Sequence, residues 1–378
     1  MNKFKQIELD NIIELRKEKY NPLESDTNKP CIELEHFDQG TGQINGYIPS
    51  LEQKSIKNIF YKGDVLFGKL RPYLKKYWLA EFDGVCSSEA WVLKPKNNNI
   101  ITKKILFYLV QSELFIRIAN ISSGSKMPRA DWNYISEYPF SIPPLEEQEK
   151  IAEILLTCDK AIHLTTQIIT QLKQRNQGLA QQLLTGEKSN YKAIGKYIKE
   201  ISNRNSNLQV KKVLSVTNSK GFINQFEQFG RELASSDVSN YKIVSKGQFA
   251  YNPSRVNVGS IDLLQDSEMS ILSPMYIVFE TKEDYLLSKF LYYHLKSNSF
   301  LVRIPTYVQG SVRDTLSFKA LSEMKFFIPN IEKQKKVTKI LDTAHQELKL
   351  YEQKLQLLQA QKKTLMQKLL TGEVLTIK

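Results

Sequence analysis

One stretch of this sequence occurs twice. Residues 142 to 187 read IPPLEEQEKIAEILLTCDKAIHLTTQIITQLKQRNQGLAQQLLTGE, and residues 328 to 373 read IPNIEKQKKVTKILDTAHQELKLYEQKLQLLQAQKKTLMQKLLTGE. From 142 to 328 and from 187 to 373 the offset is the same 186 residues, with no insertion between. A repeat of this size constrains the architecture before any local pattern does, because similar sequence must build similar elements twice.

Each copy carries a helical seam. In the first, Leu155, Cys158, Ile162, Thr165, Ile169, Leu172, Asn176, Leu179 and Leu183 alternate steps of three and four. The same register in the second gives Leu341, Ala344, Leu348, Tyr351, Leu355, Leu358, Lys362, Leu365 and Leu369. That is the apolar repeat of a two-stranded coiled coil, held for about four heptads. At 1.5 Å per residue each helix is roughly 60 Å long, far beyond an ordinary core helix. Each opens at a proline turn with Glu146, Glu147 or Glu332 where the helix dipole favours a carboxylate, and ends in Thr-Gly. Two equal seams in one chain predict an antiparallel pair. Asn176 and Lys362 are polar seam positions at equivalent places, either register devices or solvent-exposed.

The expected fold is α+β, with a pseudo-two-fold internal repeat. Residues 1–141 form a first globule, 142–188 a central helix, 189–327 a second globule and 328–378 a C-terminal helix. The globules alternate short apolar runs with Gly, Asp and Asn turns, which reads as strands, followed by a helical stretch (Ile105, Leu109, Leu114, Ile118). SKGQFAYNPSRVNVGSIDL in the second stands where YKGDVLFGKLRPYLKKYWL stands in the first, and Gly124-Ser125 falls on Gly310-Ser311. The globules differ where the helices agree, so the two heads are expected to recognise different things. Antiparallel helices would hold one head at each end of a rod. That suits a long periodic ligand such as B-DNA, whose successive turns lie about 34 Å apart.

Composition agrees with a polyanion partner. The formal net charge is +13, a modest signal alone. No apolar run is long enough to span a membrane, and the N-terminus has no apolar signal core. Cys31, Cys86 and Cys158 are widely separated, with no metal-ligand spacing, which fits a reducing, cytoplasmic setting. Catalytic signals are missing: there is no phosphate-cradling glycine loop, and His36, His163, His294 and His345 are scattered.

IPPLEEQEKIAEIL with its echo IPNIEKQKKVTKIL, the two LLTGE helix ends, SGSKMPRADW with its echo QGSVRD, and FGKLRPYLKK together resemble the specificity (S) subunit of Type I restriction-modification systems. The resemblance covers essentially the whole chain. It implies that each globule is a target recognition domain reading half of a bipartite sequence in double-stranded DNA. The helices would set the spacer and dock two modification (methyltransferase) subunits. Those subunits would bind S-adenosylmethionine and methylate adenine, and motor/nuclease restriction subunits would join for cleavage. No cofactor, metal or catalytic residue is expected in this chain. The second copy departs from the family pattern at Asn330 and Lys333, where the first has Pro144 and Glu147. A coiled-coil protein–protein adaptor without DNA specificity is the competing reading.

The candidate DNA contacts lie in four loops. In the first globule Lys69, Arg71, Tyr73, Lys75, Lys76 and Tyr77 interleave basic and aromatic side chains, and Ser123, Ser125, Lys126 and Arg129 form a second polar loop. The matching places in the second globule are Asn252, Ser254, Arg255 and Asn257, then Gln309, Ser311 and Arg313. Lysine and arginine neutralise phosphates, while Asn, Gln and Arg can pair with base edges.

Overall fold

The computed structural model describes residues 4–121, 127–218, 220–224, 237–308 and 315–376. The chain forms two compact units, Met1–Gln167 with Gln353–Lys378, and Ile168–Glu352. The long helices run over Leu145–Leu183 and Ile331–Thr371, and each contributes one half to each unit.

In the first unit, strand Lys5–Glu8 pairs antiparallel with Pro139–Ile142, which leads into the first long helix. A four-stranded antiparallel sheet has the order Ile13–Leu15, Ala90–Pro95, Val65–Gly68, Tyr77–Leu79. Both of its faces are covered. Val65, Phe67, Trp91 and Leu93 join the core beneath helices Lys103–Gln111 and Glu113–Ala119. Leu66, Trp78 and Val92, one residue out of phase, join a second core with Ile32, Phe60 and Cys86. Alternate side chains of a strand point to opposite faces, so a two-faced strand is apolar throughout, as VLFG is. Thr102 and Ser112 cap the two helices through their hydroxyls. A five-stranded sheet, Lys19–Tyr20, Lys57–Phe60, Gly84–Cys86, Pro30–Ile32 and Ile48–Pro49, closes the unit. At Gly84 an added Cβ would lie 2.6 Å from both Phe60 and the Pro30 carbonyl, so only glycine fits.

The second unit repeats this plan. Tyr191–Ala193 pairs with Lys325–Phe327, and the four-stranded order is Ile198–Ile201, Ile277–Thr281, Phe249–Tyr251, Ile261–Leu263. Helices Ser288–Lys296 and Asn298–Tyr307 cover it. The outer strands differ. Among the described residues they form two antiparallel pairs, Leu214–Thr217 with Gly221–Asn224 and Lys242–Ser245 with Met269–Leu272.

The helices run antiparallel inside each unit. In the first, Ile151, Ala152 and Leu155 share a core with Met366, Leu369 and Leu370, Lys362 Nζ lies 2.5 Å from Asp159, and the Thr376 N–H donates to Glu147 at 3.0 Å. In the second, Leu179, Leu183 and Leu184 pack with Val337 and Leu341. There Asn176 Nδ2 donates to the Ala344 carbonyl at 2.9 Å, and Arg175 pairs with Glu347 at 2.6 Å. In both units the partner number falls as the residue number rises. The seam leucines and isoleucines are all buried or half-buried: Leu155, Ile162, Ile169, Leu172, Leu179, Leu183, Leu341, Leu348, Leu355, Leu358, Leu365 and Leu369. Leu164, Leu350 and Leu357, off the seam, are exposed. Asn176 and Lys362 are both half-buried and bonded, so neither is simply a solvated seam position.

Candidate nucleic-acid interface

The chain leaves strand Val65–Gly68 through a tight turn over Pro72–Leu74. Arg71 and Lys75 flank that turn, each with φ +52°, a left-handed conformation that costs a non-glycine residue about 1 kcal/mol or more. Backbone bonds hold the turn in place. The Arg71 N–H donates to the Pro128 carbonyl at 2.8 Å, and the Ala130 N–H donates to the Lys69 carbonyl at 2.9 Å. The loops carrying Arg71 and Arg129 are therefore stitched into one surface, although the two arginines stand 58 positions apart in sequence.

The six residues of the first loop do not share one environment. Arg71, Tyr73 and Lys75 are exposed and Lys69 is half-exposed. Lys76 donates to the Leu34 carbonyl at 2.7 Å, and partial burial lowers its pKa. Tyr77 opens strand Tyr77–Leu79, so the pleat turns its ring into the core. It is 4% exposed, and its hydroxyl donates to the Gly40 carbonyl. Tyr77 thus supports the turn from below, a correction to the expectation of a surface contact. Arg129 is exposed but forked onto Glu89 at 3.1 and 3.3 Å, which offsets its charge. Ser123, Ser125 and Lys126 lie outside the described residues.

The second unit builds the same junction. The Leu316 N–H donates to the Pro253 carbonyl and the Tyr251 hydroxyl to the Leu316 carbonyl, both at 3.1 Å. A turn over Val256–Val258 follows Arg255, as Pro72–Leu74 follows Arg71. Ser254, Arg255 and Asn257 are exposed. Asn252 is a second correction: it is buried, and its Oδ1 accepts the Ser254 N–H at 3.1 Å, so it shapes the turn rather than facing outward. Gln309, Ser311 and Arg313 lie outside the described residues. The two surfaces share a frame and differ in chemistry, Arg-Tyr-Lys on one and Ser-Arg-Asn on the other.

Several other polar side chains of the described residues hold the fold together. Among the described residues no group of three or more His, Cys, Asp and Glu could hold a metal ion, and no helix is long and apolar enough to cross a membrane. His294 is buried, donates from Nε2 to the Phe327 carbonyl at 3.1 Å, and has its pKa pushed down to about 3 by burial. Two glutamines escaped the sequence reading. Gln148 accepts the Thr102 N–H at 2.8 Å and donates to the Ile100 and Pro143 carbonyls at 2.7 and 2.9 Å. Gln334 does the same with Leu287, Tyr285 and Pro329. The echo of IPPLEEQ in IPNIEKQ was the signal. Asn330, where the first copy has Pro144, caps its helix by accepting the Lys333 N–H at 2.9 Å.

Two units of one plan, each presenting its own stitched pair of loops and each completed by halves of the same two helices, define an internally duplicated recognition scaffold. The sequence matches the family described as Type I restriction modification DNA specificity domain over residues 1–174 and again over 187–360, and the chain belongs to that family. It is 24% identical over 319 residues to the Type I restriction enzyme MjaVIII specificity subunit of Methanocaldococcus jannaschii, covering 77% of this chain and 74% of that one. It is 30% identical over 152 residues to the EcoDI specificity subunit of Escherichia coli, covering 40% of this chain. That match spans only 33% of the EcoDI subunit's length, and a match to the HindI subunit of Haemophilus influenzae spans 29%. The fold is shared with a Type I restriction-modification S subunit from M. genitalium, at TM-score 0.60 and 16% identity over 98% of this chain and 96% of that one. A chain of a solved type I R-M system has TM-score 0.61 and 16% identity over 99% of both.

Proposed function

We propose that this chain is the DNA-reading subunit of a type I restriction-modification complex. Each unit reads one half of a bipartite sequence in double-stranded DNA through its stitched loops. The observation that carries this reading is the repeated junction: Ala130 on Lys69 in one unit and Leu316 on Pro253 in the other fix the same frame, while the exposed side chains upon it differ. A protein reading two unlike half-sites needs that combination. The long helices set the distance between the half-sites and seat two methyltransferase subunits, which carry S-adenosylmethionine; motor and nuclease subunits complete the cleaving assembly. The chain itself supplies recognition and no catalysis, and works in the cytoplasm.

The test is DNA affinity of the chain with its methyltransferase as salt is raised. Phosphate neutralisation gives a steep linear fall of log K with log salt, whereas a flat slope without sequence preference sinks the proposal. Exchanging residues 189–327 for the equivalent globule of another member should change one half of the methylated target in a genome-wide adenine-methylation map and leave the other half intact. Change in both halves would rule out separate reading heads.

A further inference from the structure

The first unit contains a cavity of about 590 Å³ that the DNA reading leaves unused. It lies between helices Lys103–Gln111 and Glu113–Ala119, strand Pro139–Ile142 and the last turns of helix Ile331–Thr371. Its walls are the buried side chains of Ile105, Leu109, Ile116, Phe140, Met366 and Leu370. Lys75, Glu113, Arg117 and Lys363 stand around it. Glu113 pairs with Lys363 at 2.5 Å. Lys75 and Arg117 make no salt bridge among the described residues, though both favour the ionised Glu113, and the cluster of three cations and one carboxylate is left with an excess of positive charge.

The second unit has the same elements with different side chains at two of these positions. Phe327 stands where the first unit has Ser141, is 1% exposed, and packs its ring directly on Gly186. His294 stands where the first unit has Leu109, and hydrogen-bonds the Phe327 carbonyl. Gly372, the counterpart of Gly186, meets Phe4 instead. The strand position that carries the Phe327 ring in one copy carries the small Ser141 in the other, where the ring over the helix-end glycine comes from Phe4.

We infer that this cavity is a binding site for a small amphipathic anion, with an apolar aromatic or aliphatic body and one carboxylate, sulfonate or phosphate head. The volume falls within the roughly 300–1,000 Å³ of small-molecule sites. Burial of the apolar body drives binding, and Lys75 and Arg117 meet the head. Lys75 also flanks the exposed turn after Leu74, so an occupant takes a cation from that surface. This last consequence alone rests on the DNA reading.

Anilinonaphthalene sulfonate is a suitable probe, titrated by fluorescence into the full chain without DNA. One saturable site is expected, with phenylnaphthylamine, the same body lacking the sulfonate, binding at least tenfold more weakly. Ser141→Phe, which copies the second unit's own residue, should abolish probe binding. Leu114→Trp, at the cavity wall, should weaken it tenfold or more and serves if Ser141→Phe does not fold. Equal binding of the neutral probe, or undiminished binding by either variant with an unchanged circular dichroism spectrum, overturns the inference. The coupling to DNA is read separately, as a two- to tenfold loss of affinity for the first half-site when probe is bound. Unchanged affinity with the probe seated removes the coupling, while a chain that binds probe but no DNA refutes the DNA reading alone.

Discussion

Gln148 and Gln334 stand at equivalent positions of the two long helices, and each closes the same buried triangle: one N–H and one carbonyl of the loop before a globule helix, and the proline carbonyl five residues back. Both are wholly buried. Leucine at either place keeps the bulk but strands three backbone groups. Gln148→Leu and Gln334→Leu should each lose about 3 kcal/mol of stability, measured by urea denaturation. A loss under about 1 kcal/mol would mean that water or backbone adjustment replaces the amide.

Lys362 is held by Asp159 at 2.5 Å and Gln111 at 2.9 Å, with its side chain 11% exposed and that of Asp159 19% exposed. Tyr108 donates to the other oxygen of Asp159 at 2.9 Å. Lys362→Met leaves that carboxylate without its cation and should cost about 3 kcal/mol. Adding Asp159→Leu should recover a large part of the loss, because the isolated charge is removed with its partner. A double variant no more stable than the single one would contradict this account.

The second unit should weaken in acid through His294. Its folded pKa of about 3 lies below the ordinary histidine value of 6.5, with burial as the main cause and the Arg303 charge adding to it. The unfolded chain therefore binds the extra proton first. The stability from the neutral ring is fully present above about pH 6.5 and is lost as pH falls toward 3, by up to about 1.4 kcal/mol per pH unit. His294→Leu should flatten that slope in urea titrations at pH 7 and pH 5.

Arg129 is restrained by Glu89. Glu89→Gln should release the guanidinium and raise non-specific DNA affinity severalfold at low salt, with a steeper salt dependence. Arg71→Ala, by contrast, should weaken binding about tenfold and make that dependence shallower. Filter binding at two salt concentrations distinguishes the two. Equal affinities of Glu89→Gln and the native chain would place Arg129 away from DNA.

Most of the frame was legible in the sequence. Leu155 through Leu183 and Leu341 through Leu369 keep a period that only a long helix satisfies, and such a seam needs a partner, which each unit supplies antiparallel. The alignment of the loop after Phe67 with that after Tyr251 also matches the structure, down to the turns over Pro72–Leu74 and Val256–Val258. Side-chain direction was not legible. Tyr77 and Asn252 look like their neighbours in composition, yet a strand pleat buries one and a turn bond the other. The outer strands were also hidden, because pairs two to four residues long owe their partners to tertiary packing rather than to local pattern. Gln148 and Gln334 recur at the same place of the repeat, but a glutamine on a charged helix start looks like a solvated side chain, and only the tertiary loop beside it makes it a clasp.

The first compact unit joins Met1–Gln167 to Gln353–Lys378, and Met366, Leu369 and Leu370 sit in the same core as Leu9 and Phe67. On the ribosome, then, the globule synthesised first is the one finished last. While the second unit is being made, the apolar side of Ile151, Ala152 and Leu155 waits uncovered for residues not yet translated. A nascent chain stalled before Leu365 should hold its N-terminal domain in a protease-sensitive state, with the exposed surface that chaperones bind.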